Sequence, residues 1–506
     1  METLPAMKMY RIVAVMLLLC CVLSVISWSY SSGSEGVLWE NQQVYITNSA
    51  DYELNYFSMK IDSQGYPRIC FAEKTLPSGP LNSTRCLNSV YWNGSGWQSF
   101  VMTFNGDSGQ YCSLGLDNHD YPHIAYYYTT AENSDLEYVW WNGTTWIFTT
   151  ADYGEGKDVG QYCSIAVDSQ GYAHISYYNN AEPYGLKYAL IRGPGLSWDI
   201  GTIDAGIYVG LDTSIALDSH DYPHISYYDL YHNNNSLRYA SYDGNRWTFE
   251  TVDYGQNVGG GSSLVIDTDD RPHISYHAAE TNAVKYAYKV NNQWIIETVD
   301  TGEISPRTTL VLDASNTPHI TYVDYENGKT VKYAHKVGTS WEIQDIATGS
   351  FSTIALGKDN IPHILYVHNG LFLATPLMQI TNPSSNQLVN QEGSYEIRWN
   401  TFETKEFTHN LGPYVKIEVF DQGQPVSVLT ANTTNDGTYV WKIANDIEPG
   451  TYQLKISDVS DDTRSAQITV VIQPQSFQGL LIGILLIVAI VICLLLAIVM
   501  KKRTHP

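Results

Sequence analysis

A motif that recurs seven times along the chain limits the possible folds more than any other feature of the sequence. Its plainest copy is Ser214 to Tyr228, SIALDSHDYPHISYY. The shared template is Ser/Thr, three residues, Asp, four residues, Pro, His, Ile, one residue and Tyr. The first slot holds Ser58, Ser113, Ser164, Ser214, Ser263, Thr309 and Thr353, so the copies start 44 to 55 residues apart. Spacings near 40–50 residues belong to propeller-type repeats. Each copy reads as two alternating runs around a turn rich in Asp, Gly, Asn and Pro, that is, a strand, a tight connection and a second strand. A third run follows with the pattern LKYA (Leu186 to Ala189; Leu237 to Ala240 with Arg238), then a short turn and a Trp that opens a fourth run. These are Trp97, Trp146, Trp198, Trp247, Trp294 and Trp341. Four antiparallel strands per repeat make a blade, and blades around an axis make a propeller.

The seventh copy stops without a Trp strand of its own. Leu38 to Thr47, with Trp39 ahead of an alternating run, supplies the missing piece from the other end of the chain. Closure of that kind removes an exposed sheet edge. The reading is a seven-bladed β-propeller over residues 37–375, closed by an N-terminal strand.

Residues 1–32 have the layout of a secretory signal peptide: Lys8 and Arg11, an apolar run from Ile12 to Ile26, then small and polar residues. An uncleaved anchor is the alternative, and either one exports the chain. At the other end, residues 477–500 read as a transmembrane helix, since Gly479 to Met500 is an uncharged run of 22 residues, long enough to span a bilayer. Lys501, Lys502 and Arg503 follow at once, which keeps the tail, residues 501–506, cytoplasmic and the N-terminal ectodomain outside. The expected location is the cell membrane, with a single pass.

Residues 376–474 lose the period and read as a second all-β module with short strands at Tyr395 to Trp399, Val415 to Phe420, Thr438 to Ile443, Thr451 to Ile456 and Ala466 to Ile472. That density of strands suits an Ig-like β-sandwich. The stretches ITNPSSNQ, SYEIRWN, VKIEVF, NDGTYVWKI and GTYQLKISD resemble the Ig-like module of yeast cell-wall-synthesis glycoproteins, also found in Ser/Thr-rich anchored membrane proteins. The resemblance implies a surface stalk without catalysis. The repeat itself, with PHISYY and LKYA, resembles those of bacterial and archaeal surface propellers and, more distantly, sialidase-type and fucose-lectin-type propellers. It departs from the sialidase pattern because Pro-His stands where Thr-Trp would. The fold class is therefore all-β: a propeller, an Ig-like sandwich and one C-terminal transmembrane helix.

With 28 Lys+Arg against 52 Asp+Glu, the formal net charge is -24, which argues against nucleic acid as a partner. Cys70 and Cys86 flank the long loop of the first blade and are a candidate disulfide, while Cys112 and Cys163 read as buried thiols. Sequons at Asn82, Asn93, Asn142, Asn234 and Asn432 fit an exported glycoprotein.

The repeating His, Asp and Trp residues read as scaffold, because one imidazole per blade is spread around a ring and cannot converge on an ion. No metal, cofactor or catalytic set is expected. The irregular positions are better candidates, since variable loops on a rigid frame carry binding. The slot ending the second strand reads Glu73, Tyr128, Asn179, Asp229, Ala278, Asp324 and His368, and the inter-blade connections add Tyr111, Tyr153, Tyr162, Asp212 and Tyr254. The expected ligand-binding set is Tyr128, Tyr153, Asp212, Asp229, Tyr254, His277, Asp324 and His368. Aromatic faces beside carboxylates suit sugars. The function read from this is recognition or adhesion at the cell surface through an extracellular glycan or protein ligand. Two alternatives stand: an anchored glycan-processing hydrolase or lyase using Asp229, Asp324 or His277 as acid/base, and a structural component of the envelope.

Overall fold

The computed structural model describes residues 37–473 apart from 46–51, 76–84, 103–106, 131, 155–156, 193–196, 231–234, 256, 327, 392, 403–410, 445–446 and 463. The expected signal segment and transmembrane segment lie outside the described residues. Among the described residues, no helix is long and apolar enough to cross a membrane.

The fold is all-β, with one 3-10 turn at Ala279–Thr281. Residues 52–348 form six four-stranded antiparallel sheets in simple up-and-down order, as in Val209–Leu217, Pro223–Asp229, Ser236–Tyr242 and Trp247–Tyr254. A further sheet is built from Ser350–Leu356, Pro362–Val367 and Leu371–Asn382, with Val37–Tyr45 from the N-terminus paired antiparallel to the last of these. Trp39 lies in that added strand and its Nε1 donates to Gln344 Oε1 at 2.9 Å. The first strand of each sheet lies against the first strand of the next, and Ser350–Leu356 lies against Tyr52–Ile61, so these strands surround a central channel. Sheets of this kind are those of a propeller.

The motif residues hold this arrangement together. The Asp slot closes its own turn: Asp168 Oδ1 accepts from the N–H groups of Gln170 at 2.9 Å and Tyr172 at 2.7 Å. Turn is tied to turn as well, since Ser169 N–H donates to Asp221 at 3.1 Å and Ser219 N–H to Asp270 at 2.8 Å. The Ser slot joins neighbouring channel strands, with Ser58 Oγ accepting from Leu114 N–H at 3.2 Å and Ser214 Oγ from Leu264 N–H at 3.0 Å. Because the sheets stack on both faces, the second strands are largely buried, and Ala173–Asn179, Pro223–Asp229, Pro272–Ala278 and Pro318–Asp324 are buried along their whole length.

Five of the repeating histidines, His123, His174, His224, His273 and His319, each brace a tyrosine of the adjoining strand. His174 bonds to Asp168 through Nε2 at 3.3 Å and to Tyr188 through Nδ1 at 2.7 Å. A neutral ring satisfies both partners by donating from Nε2 and accepting at Nδ1. Desolvation holds His123 and His363 of this series down to about 4, and His335, on the strand paired with that of His319, likewise. The Lys or Arg of LKYA and the first Tyr of PHISYY meet on an aspartate of the preceding sheet. Tyr276 OH donates to Asp253 Oδ2 at 2.7 Å and Lys285 Nζ at 3.0 Å, and Tyr177 and Lys187 converge likewise on Asp152, each at 2.6 Å.

Leu371–Asn382 continues beyond the expected boundary at residue 375 and pairs through its second half with Ser394–Thr401 of the following module. Pro376, which has no N–H to donate, falls opposite Trp39 at a register shift that absorbs the missing bond. Met378 and Ile380 enter the core of that module with Trp399 and Trp441, and Arg464 pairs with Glu40 at 2.9 Å. A shared strand, with no linker, therefore joins the two parts.

The candidate Cys70–Cys86 disulfide is not formed. Both are free thiols, as are Cys112 and Cys163. Cys70 stands opposite Ser89 and Cys86 opposite Glu73, so the pairing register sets the two cysteines three positions apart.

Candidate functional site in the central channel

Two residues before each Ser/Thr slot, the repeat breaks. The positions read Tyr56, Tyr111, Tyr162, Asp212, Gly261, Arg307 and Phe351. The ladders of the channel strands shift register here, between Gln161 and Ser164, between Leu211 and Ser214, between Gly260 and Ser263 and between Gln110 and Ser113, whereas Arg307 precedes the strand Thr309–Leu312, which keeps register. A bulge of this kind re-aims one side chain. Tyr56, Tyr111, Tyr162, Asp212 and Phe351 have φ of 48°, 54°, 54°, 47° and 53°, in the left-handed region that costs a non-glycine residue about 1 kcal/mol or more. Strain repeated at equivalent positions is the mark of a place with a task.

All seven side chains or backbones line one cavity of about 300 Å³ in the channel. That is ample for a single sugar ring. Tyr111 sits between the other two tyrosines, its ring centroid 4.7 Å from Tyr56 and 4.6 Å from Tyr162. Burial, then the neighbouring Tyr162 and Tyr56, pushes its phenol far above the ordinary tyrosine range, so the hydroxyl stays a neutral donor. Across the cavity, the Arg307 guanidinium lies over Tyr56 at 5.0 Å and over Phe351 at 6.0 Å, within cation–π range. Asp212 Oδ2 accepts from Gly261 N–H at 3.0 Å. Burial raises the Asp212 pKa by more than the Gly261 N–H and Arg307 lower it. Glycine is required at 261, where φ is +57° and an added Cβ would fall 1.8 Å from Pro306 O. That close approach brings the Pro306–Arg307 backbone to the channel.

Of the residues expected from sequence, Asp212 is in this cavity, and so are Tyr111 and Tyr162, which occupy bulges of the channel strands and not the connections between sheets. The others are scattered. Asp229 is fully buried and faces Arg238 at 3.4 Å, and Asp324 is buried against Lys332 at 3.0 Å. Both reinforce the inter-sheet braces. His277 is buried, and its Nε2 has no hydrogen bond among the described residues. Tyr153 and Tyr254 are 69% and 75% exposed at the ends of their strands. Tyr128 packs on the core between the first two sheets, and His368 is exposed, in edge contact with Phe372. Sequence reading passed over Tyr56, Gly261, Arg307 and Phe351. The signal for them was present: the column two residues upstream of the Ser/Thr slot is chemically varied while its neighbours repeat.

Residues 382–470 match the Kre9/KNH-like N-terminal Ig-like domain. No curated protein matches the chain. Among solved structures, a protein of unknown function from Dyadobacter fermentans is similar at 11% identity and TM-score 0.43, over 67% of this chain and 98% of that one. SapL1, a lectin solved with alpha methyl fucoside, is similar at 15% identity and TM-score 0.40, over 58% of this chain and 96% of its own. The NanB sialidase of Streptococcus pneumoniae is similar at 12% identity and TM-score 0.38, over 66% and 69% of the two chains. The neighbours thus include lectins and sialidases, and likenesses this distant carry no argument about ligand or chemistry.

Proposed function

We propose that this chain is a carbohydrate-recognition protein of the cell surface, whose six four-stranded sheets and the sheet completed by Val37–Tyr45 act as seven blades around a sugar-binding channel. The observation that carries the reading is the convergence of three tyrosines, Asp212, Arg307 and Phe351 on one cavity, five of them from strained backbone. Aromatic faces stack on the apolar C–H faces of a sugar ring, Asp212 accepts from its hydroxyls, and the tyrosine hydroxyls donate to it. The sandwich at 382–470 would hold the propeller away from a membrane anchored through residues 477–500, an arrangement supported by the uncharged apolar run and the three cations after it.

A glycan array probed with the ectodomain, followed by calorimetry on the best hit, tests this. Tyr111→Ala and Asp212→Asn are each expected to weaken binding about tenfold or more, as loss of a stacking face or a charged acceptor does, while Tyr254→Ser leaves it unchanged. Binding that survives both channel substitutions, or no sugar binding at all, refutes the reading.

A further inference from the structure

The sugar-binding reading leaves the charge of the ligand open, and two cations in the channel bear on it. Arg307 is exposed and lies over the rings of Tyr56 and Phe351; its guanidinium has no hydrogen bond or ion pair among the described residues. This contrasts with the other cations of the sheets: Lys187, Arg238, Lys285 and Lys332 each meet an aspartate at 2.6 to 3.1 Å. Lys60 lines the same cavity, four residues below Tyr56 on the same strand, and also has no ion pair or hydrogen bond among the described residues. The corresponding position in the other channel strands is Gly115, Ala166, Ala216, Val265, Val311 or Ala355, so the lysine is an exception to an apolar column. Four residues of strand place it roughly 13 Å from Tyr56 along the channel. Lys60 is exposed to solvent, and the residual desolvation of its ammonium lowers its pKa with no counter-charge among the described residues to oppose it.

Two unpaired cations therefore face one carboxylate, that of Asp212, inside a protein whose formal net charge is -24. Acidic side chains are plentiful elsewhere, and none lies within ion-pair distance of Arg307 or Lys60 among the described residues. The planar guanidinium lies over the rings of Tyr56 and Phe351 and has no acceptor among the described residues, so its N–H groups can bind a carboxylate through two parallel hydrogen bonds. We propose, resting on the sugar-binding reading above, that the channel selects a saccharide carrying a carboxylate, with the acid on the Arg307 fork, the ring against the tyrosines, a hydroxyl on Asp212, and Lys60 adding attraction from the far end of the cavity.

The test is calorimetric titration of the full-length protein in detergent with D-glucuronic acid and D-glucose, and with short oligosaccharides ending in each, at low and high salt. The acid is expected to bind about tenfold or more tighter than its neutral counterpart, and the advantage to shrink as salt screens the cations. Arg307→Gln is expected to abolish the advantage, so that acid and neutral sugar bind alike. Lys60→Met is expected to reduce the advantage severalfold and to flatten its salt dependence. Equal binding of acid and neutral sugar by the natural protein overturns this inference and leaves sugar recognition standing. An acid preference that survives both substitutions also overturns it. Binding of neither sugar series overturns both readings together.

Discussion

Replacing Asp253 by alanine isolates what one brace between neighbouring sheets contributes. Asp253 Oδ2 accepts from Tyr276 OH at 2.7 Å and from Lys285 Nζ at 3.0 Å. Tyr276 is fully buried, so losing its acceptor leaves a hydroxyl without a partner, a cost of about 1–3 kcal/mol. Lys285 and Asp253 are 20% and 14% exposed, and the pair, still partly screened by water, adds on the order of 1 kcal/mol. The expected loss is about 2–4 kcal/mol, and Asp253→Asn, which keeps one acceptor for Tyr276, should lose about half of that. Urea unfolding followed by tryptophan fluorescence reads both, with an unchanged m-value showing that the unfolding unit is the same. A double cycle with Lys285→Met separates the ion pair, with an expected coupling of about 1 kcal/mol. If Asp253→Ala costs under about 0.5 kcal/mol, within the range of an ordinary surface substitution, the assignment of the Asp, Tyr and Lys/Arg positions to inter-sheet bracing is wrong.

The buried histidines predict an acid-side loss of stability. Desolvation holds His123, His335 and His363 near 4 in the folded state, below the ordinary 6.5, so the unfolded chain takes up their protons first. Stability should be full above about pH 6.5 and fall toward pH 4, each histidine adding a slope of up to about 1.4 kcal/mol per pH unit, and His363→Leu should remove one such increment from the urea-midpoint profile. Gly261→Ala, whose Cβ would fall 1.8 Å from Pro306 O, should displace Arg307 and destabilise the protein, with sugar binding lost in the fraction that folds. Thiol titration of native protein should find Cys86 accessible and Cys70, Cys112 and Cys163 protected until denaturant is added, and Cys86→Ser should remove one native-reactive thiol.

The scaffold was legible because its chemistry repeats. The Ser slot bonds the next channel strand, the Asp slot closes its turn, and the His slot joins Asp to Tyr, so the same residue types had to recur wherever the same bonds recur. Trp39 was readable as a displaced fourth strand because its alternation matches that of the other Trp strands. The channel was less legible for a geometric reason. An alternating strand pattern predicts which face a residue takes only while the ladder keeps register, and the bulges at Tyr111, Tyr162 and Asp212 break it where the variable residues sit. Asp229 and Asp324 misled in the opposite way: they vary along the chain as ligand-binding residues do, yet each is matched to a cation on the adjoining strand, Arg238 or Lys332. Cys70 and Cys86 looked bridgeable because they flank the long loop of the first blade, and the pairing of their strands, with Ser89 opposite Cys70, sets them apart.

The central claim is that the channel is the place where this protein meets its ligand. A crystal structure of the protein soaked with a saccharide that it binds in solution tests that claim most directly. The account predicts a sugar ring inside the cavity, stacked on Tyr111 or a neighbouring tyrosine and with a hydroxyl on Asp212. A sugar bound instead on the outer strand ends near Tyr153 or Tyr254, with the channel empty, would contradict it.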